Sequence, residues 1–313
     1  MNQFKITIVL VLSLAAAFFI WLLPDEHGSY PVAVWRLLSQ VFPAGLTPES
    51  AAEKYVAGHL RVLVVPGHDN GYWGAGFGRL KEADLTLALG KRLADYLTLD
   101  KNLTVFTTRD GATGAYRPEF LDYFRREREA IRSFRARLRA QFISLVRSGA
   151  VTETVVVPHN YAPEEMSLRL YGINKWANEQ EIDLVVHLHF NDYAGRPAGR
   201  QGPYRGFSIY VPERQLSAHR LSVGVAESVK KRLLFESPVS NLPLESAGVI
   251  EDQELIAVGA RGSRDSASFL IEYGYIYEPR FTDPARRAVT LEALARRTAE
   301  GISNYFTASN ELR

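Results

Sequence analysis

Val62-Leu63-Val64-Val65-Pro66-Gly67-His68 decides how this chain is read. An unbroken apolar run rich in β-branched residues reads as a buried strand, and Pro-Gly stops it abruptly. His68 then stands at the carboxyl end of that strand, the side of an open α/β sheet where ligands bind. Working outward, the pattern returns twice. Asp183 to Asn191 holds Leu184-Val185-Val186-His187-Leu188-His189, and Ser268-Phe269-Leu270-Ile271-Glu272 ends in a carboxylate. Between these strands lies helical periodicity. Leu85, Leu89, Leu93 and Leu97 repeat every four residues, predicting a helix over 80–97, and Leu103 to Thr108 follows as a strand. Strand, helix and strand make the repeating unit of an α/β sheet.

The remaining elements extend this layout. The sequence predicts a long helix over Pro118–Arg147, a short strand at Thr154–Val157 and a helix over Met166–Asn178. A strand at Phe207–Val211 is stopped by Pro212, a helix covers Gln215–Leu233, and a terminal helix covers Pro284–Tyr305. Glu236 to Asp265 is polar and glycine-rich and carries no clear element. The expected fold is one three-layer α/β/α domain with a mainly parallel sheet, spanning 58–313. Ile131, Phe134, Leu138, Phe142 and Leu145 form one stripe of the long helix, and seven arginines between Arg125 and Arg139 crowd its other faces. Such a helix either docks its stripe on the domain or meets an acidic polymer or anionic membrane surface.

Composition narrows the chemistry. The chain has 313 residues, 46% of them hydrophobic, and a formal net charge of +2, which argues against a dedicated nucleic-acid binder. It has no cysteine, so any metal is held by His, Asp or Glu. Ile6 to Leu23 is apolar and close to the ~20 residues that span a bilayer. Lys5 before it and Asp25 and Glu26 after it place the first five residues in the cytoplasm and the remainder outside. A cleaved signal peptide is the rival reading, but Phe18 to Pro24 offers no small-x-small cleavage site. The expectation is a transmembrane anchor at 6–23 and a juxtamembrane linker at 24–57. Within the linker, Val34, Trp35, Leu38, Val41 and Phe42 form an apolar face, and Thr47-Pro48 is a helix start.

In a parallel sheet, three strands ending in His68, in His187 or His189, and in Glu272 converge on one edge. Glu82, in the first turn of the helix after the glycine-rich loop Asp69–Gly78, joins them. His187 and His189 share a strand face, because side chains alternate with period two, and spacing does not choose between them. Two imidazoles and a carboxylate suit a catalytic zinc with one open position. A carboxylate outside the metal set then serves as general base.

These stretches resemble the zinc-dependent N-acetylmuramoyl-L-alanine amidases of the Amidase 3 type. The family's Asp-Pro-Gly-His is matched by Val65-Pro66-Gly67-His68, its Lys-Glu by Lys81-Glu82, and its Thr-Arg-Asp by Thr108-Arg109-Asp110. Leu168-Arg169 through Ala177-Asn178 into His187-Leu188-His189-Phe190-Asn191 is similar to its Leu-x-x-Arg helix, Ala-Asn and Ser-Ile-His-x-Asn. Phe269 to Tyr275 resembles its Val-Leu-Val-Glu-x-Gly-Phe. The resemblance spans most of 60–305. It implies zinc held by His68, Glu82 and His189, with Glu272 as general base, and cleavage of the N-acetylmuramic acid–L-alanine amide of peptidoglycan. Against that pattern, Val65 stands for Asp, Asp69-Asn70 for a glycine pair, His187 for a small polar residue, and 111–165 is an arginine-rich insertion. Two other readings share the fold: a wall-binding or regulatory module without activity, and a zinc hydrolase of another amide.

Overall fold

β1 (Leu60–Pro66) and β5 (Leu184–Asn191) lie side by side and parallel, with Val64 opposite Val186 and Val65 opposite His187. They are two strands of a six-stranded sheet in a computed structural model that describes residues 46–154, 157, 162–193, 195–258 and 266–311. The other four strands are β4 (Leu103–Thr107), β6 (Ser208–Pro212), β7 (Val249–Asp252) and β8 (Ala267–Tyr275). The order across the sheet is β4-β1-β5-β8-β6-β7. Neighbours run parallel except β6 and β8, which are antiparallel. A small hairpin of β2 (Gly76–Phe77) and β3 (Leu80–Lys81) closes the glycine-rich loop and leads into α2 (Glu82–Thr98).

Alternation along the strands feeds two cores, the requirement for a sheet covered on both faces. Val62, Val64, Val186 and Leu188 face a large cluster that includes Leu85, Leu89 and Leu93 of α2, Val225 and Val229 of α6 (His219–Leu233), and Leu294 and Ile302 of α7 (Pro284–Glu311). Leu63, Val65 and Val185 face a second cluster with Phe120 of α3 (Pro118–Arg126) and Ile173 and Ala177 of α5 (Glu164–Glu179). The expected three layers and mainly parallel sheet are present. α1 (Pro48–Val56) is capped by Thr47, as its sequence predicts. It falls in the stretch read as linker, yet Ala51 and Tyr55 pack in the large core, with Tyr55 stacked on Phe306 at 5.3 Å.

Several local readings change. The helix predicted over Pro118–Arg147 breaks at Glu127 (φ −94°, ψ 10°) into α3 and α4 (Arg128–Arg147). The break lets Phe120 pack against the sheet while Ile131, Phe134 and Leu138 pack on Leu168 and Tyr171 of α5. The stripe therefore docks on the domain. Part of the basic edge meets the amino end of α5, where Arg128 grips Glu165 (2.8 and 3.2 Å) and Arg135 grips Glu164 (2.7 and 2.8 Å), each through two hydrogen bonds. Glu236–Asp265 contains a 3-10 turn, Pro243–Glu245, and the edge strand β7. Thr154 and Val157 are not in a strand, and 155–156 lie outside the described residues. Among the described residues no helix is long and apolar enough to cross a membrane. The apolar run at 6–23 and the face from Val34 to Phe42 lie outside them.

Candidate active site

β1, β5 and β8 are adjacent parallel strands, and His68 just past β1 and His189 near the end of β5 meet Glu82 at the start of α2. Glu82 is the first residue of that helix and is 3% exposed. Its Oε1 lies 2.9 Å from His189 Nδ1 and accepts the Phe190 N–H (3.1 Å). Its Oε2 lies 3.1 Å from His68 Nε2 and accepts the Ala75 N–H (2.8 Å). The two imidazoles stand edge to face, 5.0 Å between centres. Burial alone pushes the Glu82 carboxyl up, but the two histidines outweigh it and hold it well below the ordinary carboxylate range. Burial pushes His68 down, and Glu82 outweighs that and raises it.

The backbone is shaped to this approach. A β-carbon on Gly67 would lie 2.4 Å from the His189 ring, and one on Gly74 (φ +72°) 2.3 Å from Glu82 Oε2. His68 itself has φ +63°, a left-handed conformation costing an L-residue about 1–2 kcal/mol. Asp69 holds that turn: its Oδ1 accepts the N–H groups of Gly71 (2.7 Å) and Tyr72 (2.9 Å), and its other oxygen pairs with Arg169. Arg169 in turn lies 5.6 Å over the Tyr116 ring. The aspartate that stands for a glycine is thus a support of the His68 loop. Arg109, 2% exposed, bonds the Ala83 carbonyl (3.0 Å) and the Gly114 carbonyl, which fixes the start of α2 and with it Glu82.

One ligand atom from each of His68, Glu82 and His189 falls within 4.8 Å of the others. Two imidazoles and one carboxylate, with the carboxylate between the rings, are a donor set that fits a catalytic zinc. Glu272 stands outside this set on the next strand, opposite His189 in the β5–β8 register. Its Oε2 is enclosed and has no hydrogen-bond partner among the described residues. Burial pushes its carboxyl well above the ordinary range, and the negative Glu82 and Glu245 add to the shift. A carboxyl so placed, outside the ligand set, is suited to proton transfer.

His187 does not join the cluster. It lies one pleat further into the sheet, 1% exposed, and neither ring nitrogen has a partner among the described residues. Burial, with His189 adding to it, pushes its pKa down to about 3, so the ring is neutral. An unsatisfied buried polar group costs about 1–3 kcal/mol. His187→Leu is therefore expected to stabilise the protein by about 1 kcal/mol at pH 7.5. The sign with pH follows from linkage. The folded pKa lies below the unfolded value of 6.5, so the unfolded chain gains a proton first on acidification. That removes up to about 1.4 kcal/mol of parent stability per pH unit below that value. Urea unfolding at pH 7.5 and 5 checks this: the advantage of His187→Leu should grow at pH 5, and a constant difference refutes it.

Glu245 is a buried acid beside this site that sequence reasoning missed, because its partners are far away in the chain. No curated protein sequence matches. The chain shares 13% identity with the CwlD amidase from Clostridioides difficile, solved in complex with the GerS lipoprotein. That match covers 80% of this chain and 99% of that one, with a TM-score of 0.51, and supports the fold. Other similar structures are the N-acetylmuramoyl-L-alanine amidase AmiC2 of Nostoc punctiforme (19% identity, 79% and 97% covered, TM-score 0.47) and Ami1 from Mycobacterium smegmatis (15%, 80% and 97%, 0.49). The Amidase 3 family model, described as N-acetylmuramoyl-L-alanine amidase, matches residues 62–304, a span that takes in most of β1 and all of α2, β5 and β8 with the four candidate residues. With that match over most of its length, the chain belongs to the Amidase 3 family of N-acetylmuramoyl-L-alanine amidases.

Proposed function

We propose that this amidase is zinc-dependent and hydrolyses the amide between N-acetylmuramic acid and L-alanine in peptidoglycan, with His68, Glu82 and His189 holding zinc and Glu272 moving the proton. The observation that carries this reading is the convergence of three ligand atoms within 4.8 Å beside a buried carboxylate that is not one of them. Zinc bound by such a set supplies a Lewis acid for the amide oxygen and lowers the pKa of water. Glu272 takes a proton from the attacking water as its oxygen adds to the lactyl carbonyl carbon. The same carboxyl returns that proton to the L-alanine nitrogen as the C–N bond breaks, leaving a carboxylate on the sugar and a free amine on the stem peptide. Arg109 holds the helix that carries Glu82, and Asp69 with Arg169 holds the turn that carries His68. Peptidoglycan lies outside the cytoplasmic membrane, and the apolar run at 6–23 supports an anchored protein with residues 58–313 on the outer face.

The test is full-length, zinc-loaded protein on purified peptidoglycan, with mass spectrometry of the soluble products. Stem peptides bearing a free L-alanine amine are expected. A folded, zinc-bound protein that releases none overturns the assignment in favour of another amide. Failure to bind zinc at all favours a wall-binding module.

A further inference from the structure

Glu245 closes the 3-10 turn Pro243–Glu245 and is 1% exposed. Its Oε1 accepts Asn191 Nδ2 (3.0 Å) and the Tyr210 hydroxyl (2.6 Å), and its Oε2 accepts the Tyr275 hydroxyl (3.1 Å). Tyr275 is held in turn by Ser240 Oγ at 3.3 Å. The three donors come from three neighbouring strands, Asn191 from β5, Tyr275 from β8 and Tyr210 from β6.

Glu272 lies inside that bracket. It is on β8, opposite His189 of β5 on one side and Ser208 of β6 on the other. Tyr210 is opposite Leu270, two residues before Glu272, and so shares its face of the sheet. The β5–β8 register shifts between His189 and Asn191, immediately past the His189–Glu272 pair. Irregularities of this kind re-aim side chains, and here the regular ladder lapses where Glu272 must be aimed. Glu272 Oε2 has no direct partner among the described residues, so its aim depends on how the strand ends are held. A buried carboxylate is a poor choice for stability alone, since well-packed apolar residues often serve as well. One that gathers donors from three strand ends beside the reacting group has a geometric use.

We propose that Glu245 is a positioning residue for Glu272: by binding Asn191, Tyr210 and Tyr275 together it fixes the ends of β5, β6 and β8 and so sets where the Glu272 carboxyl points. The inference rests on Glu272 as the proton carrier. Full-length, zinc-loaded Glu245→Leu, Glu245→Gln and Tyr210→Phe are compared with the parent for kcat, KM, bound zinc and melting temperature. Misplacement of a reacting group by about 1 Å costs on the order of 10²-fold. Glu245→Leu is expected to lose kcat by about that factor, with KM within about threefold of the parent and zinc content unchanged. Glu245→Gln, which keeps a carbonyl oxygen for Asn191 and Tyr210, should stay within about tenfold of the parent, and Tyr210→Phe should fall between the two. Folded, zinc-bound Glu245→Leu with parental kcat overturns the proposal, as does Glu245→Gln as impaired as Glu245→Leu. If Glu245→Leu does not fold, Tyr210→Phe decides: a lowered kcat at parental zinc content supports the role and an unchanged kcat ends it. A parent that releases no stem peptide defeats the amidase reading and this proposal with it. An active parent with unaffected variants defeats only the role of Glu245.

Discussion

Glu272→Gln is expected to slow muramoyl–L-alanine hydrolysis by roughly 10²–10⁴-fold, the range that a positioned general acid or base contributes, while zinc content stays at the parent level. The amide is close in shape to the carboxyl but neither takes nor returns a proton. Glu272 lies outside the His68–Glu82–His189 set, so its replacement leaves every proposed ligand in place. It also removes a buried charge that burial and the negative Glu82 and Glu245 disfavour, so the variant should be no less stable than the parent. The measurement pairs chromatographic rates of stem-peptide release with metal analysis of the same sample. Parental activity in Glu272→Gln would remove the residue from the mechanism. Joint loss of activity and zinc would make it a ligand instead.

Glu82→Gln is expected to fail in the opposite way, losing metal first. Both carboxylate oxygens accept a backbone N–H, from Phe190 and from Ala75. Either orientation of a glutamine amide therefore turns its NH₂ toward a donor, on top of removing the charge between the two imidazoles. Weakening a ligand's supporting partners alone costs about 10–100-fold in affinity, and loss of the ligand itself should exceed that. The misplaced donor should cost about 1–3 kcal/mol of stability. The folded carboxyl lies below its ordinary value of 4.5, so its stabilisation is present above that pH and is lost as pH falls below it. Metal-free parent should thus lose this contribution below about pH 4.5, and Glu82→Gln should not. Chelation should silence the parent and added zinc restore it. Equal zinc affinity in parent and Glu82→Gln, measured by competition with a chromogenic chelator, would defeat the ligand assignment.

His68, Glu82 and Glu272 are legible as candidates because each lies at or near the end of a strand or begins a helix with a strong pattern of its own, whereas His189 is favoured over His187 by the family resemblance alone. Apolar runs closed by Pro-Gly or by a polar residue announce strand ends, and parallel order brings those ends together. What stayed hidden depended on depth and distance. Periodicity puts His187 and His189 on one face, and it is the overlying packing that seals in the first while the second lies against Glu82. The break at Glu127 has no proline or glycine to mark it; it follows from two docking surfaces, the sheet and α5. β7 is four residues long in a polar stretch, too short for alternation to register. Glu245 meets donors 30 to 54 residues away, which no local pattern encodes.

β8 is the last of the six sheet strands in chain order among the described residues, yet it occupies the interior of the sheet, between β5 and β6. The three proposed zinc ligands are all synthesised by residue 189, whereas Glu272 arrives more than 80 residues later. Long-range parallel pairing is slow, because distant segments must meet before the contacts reward them. A growing or truncated chain therefore carries the three proposed ligands before the proposed proton carrier. On that reading hydrolysis waits until β8 takes its place between β5 and β6.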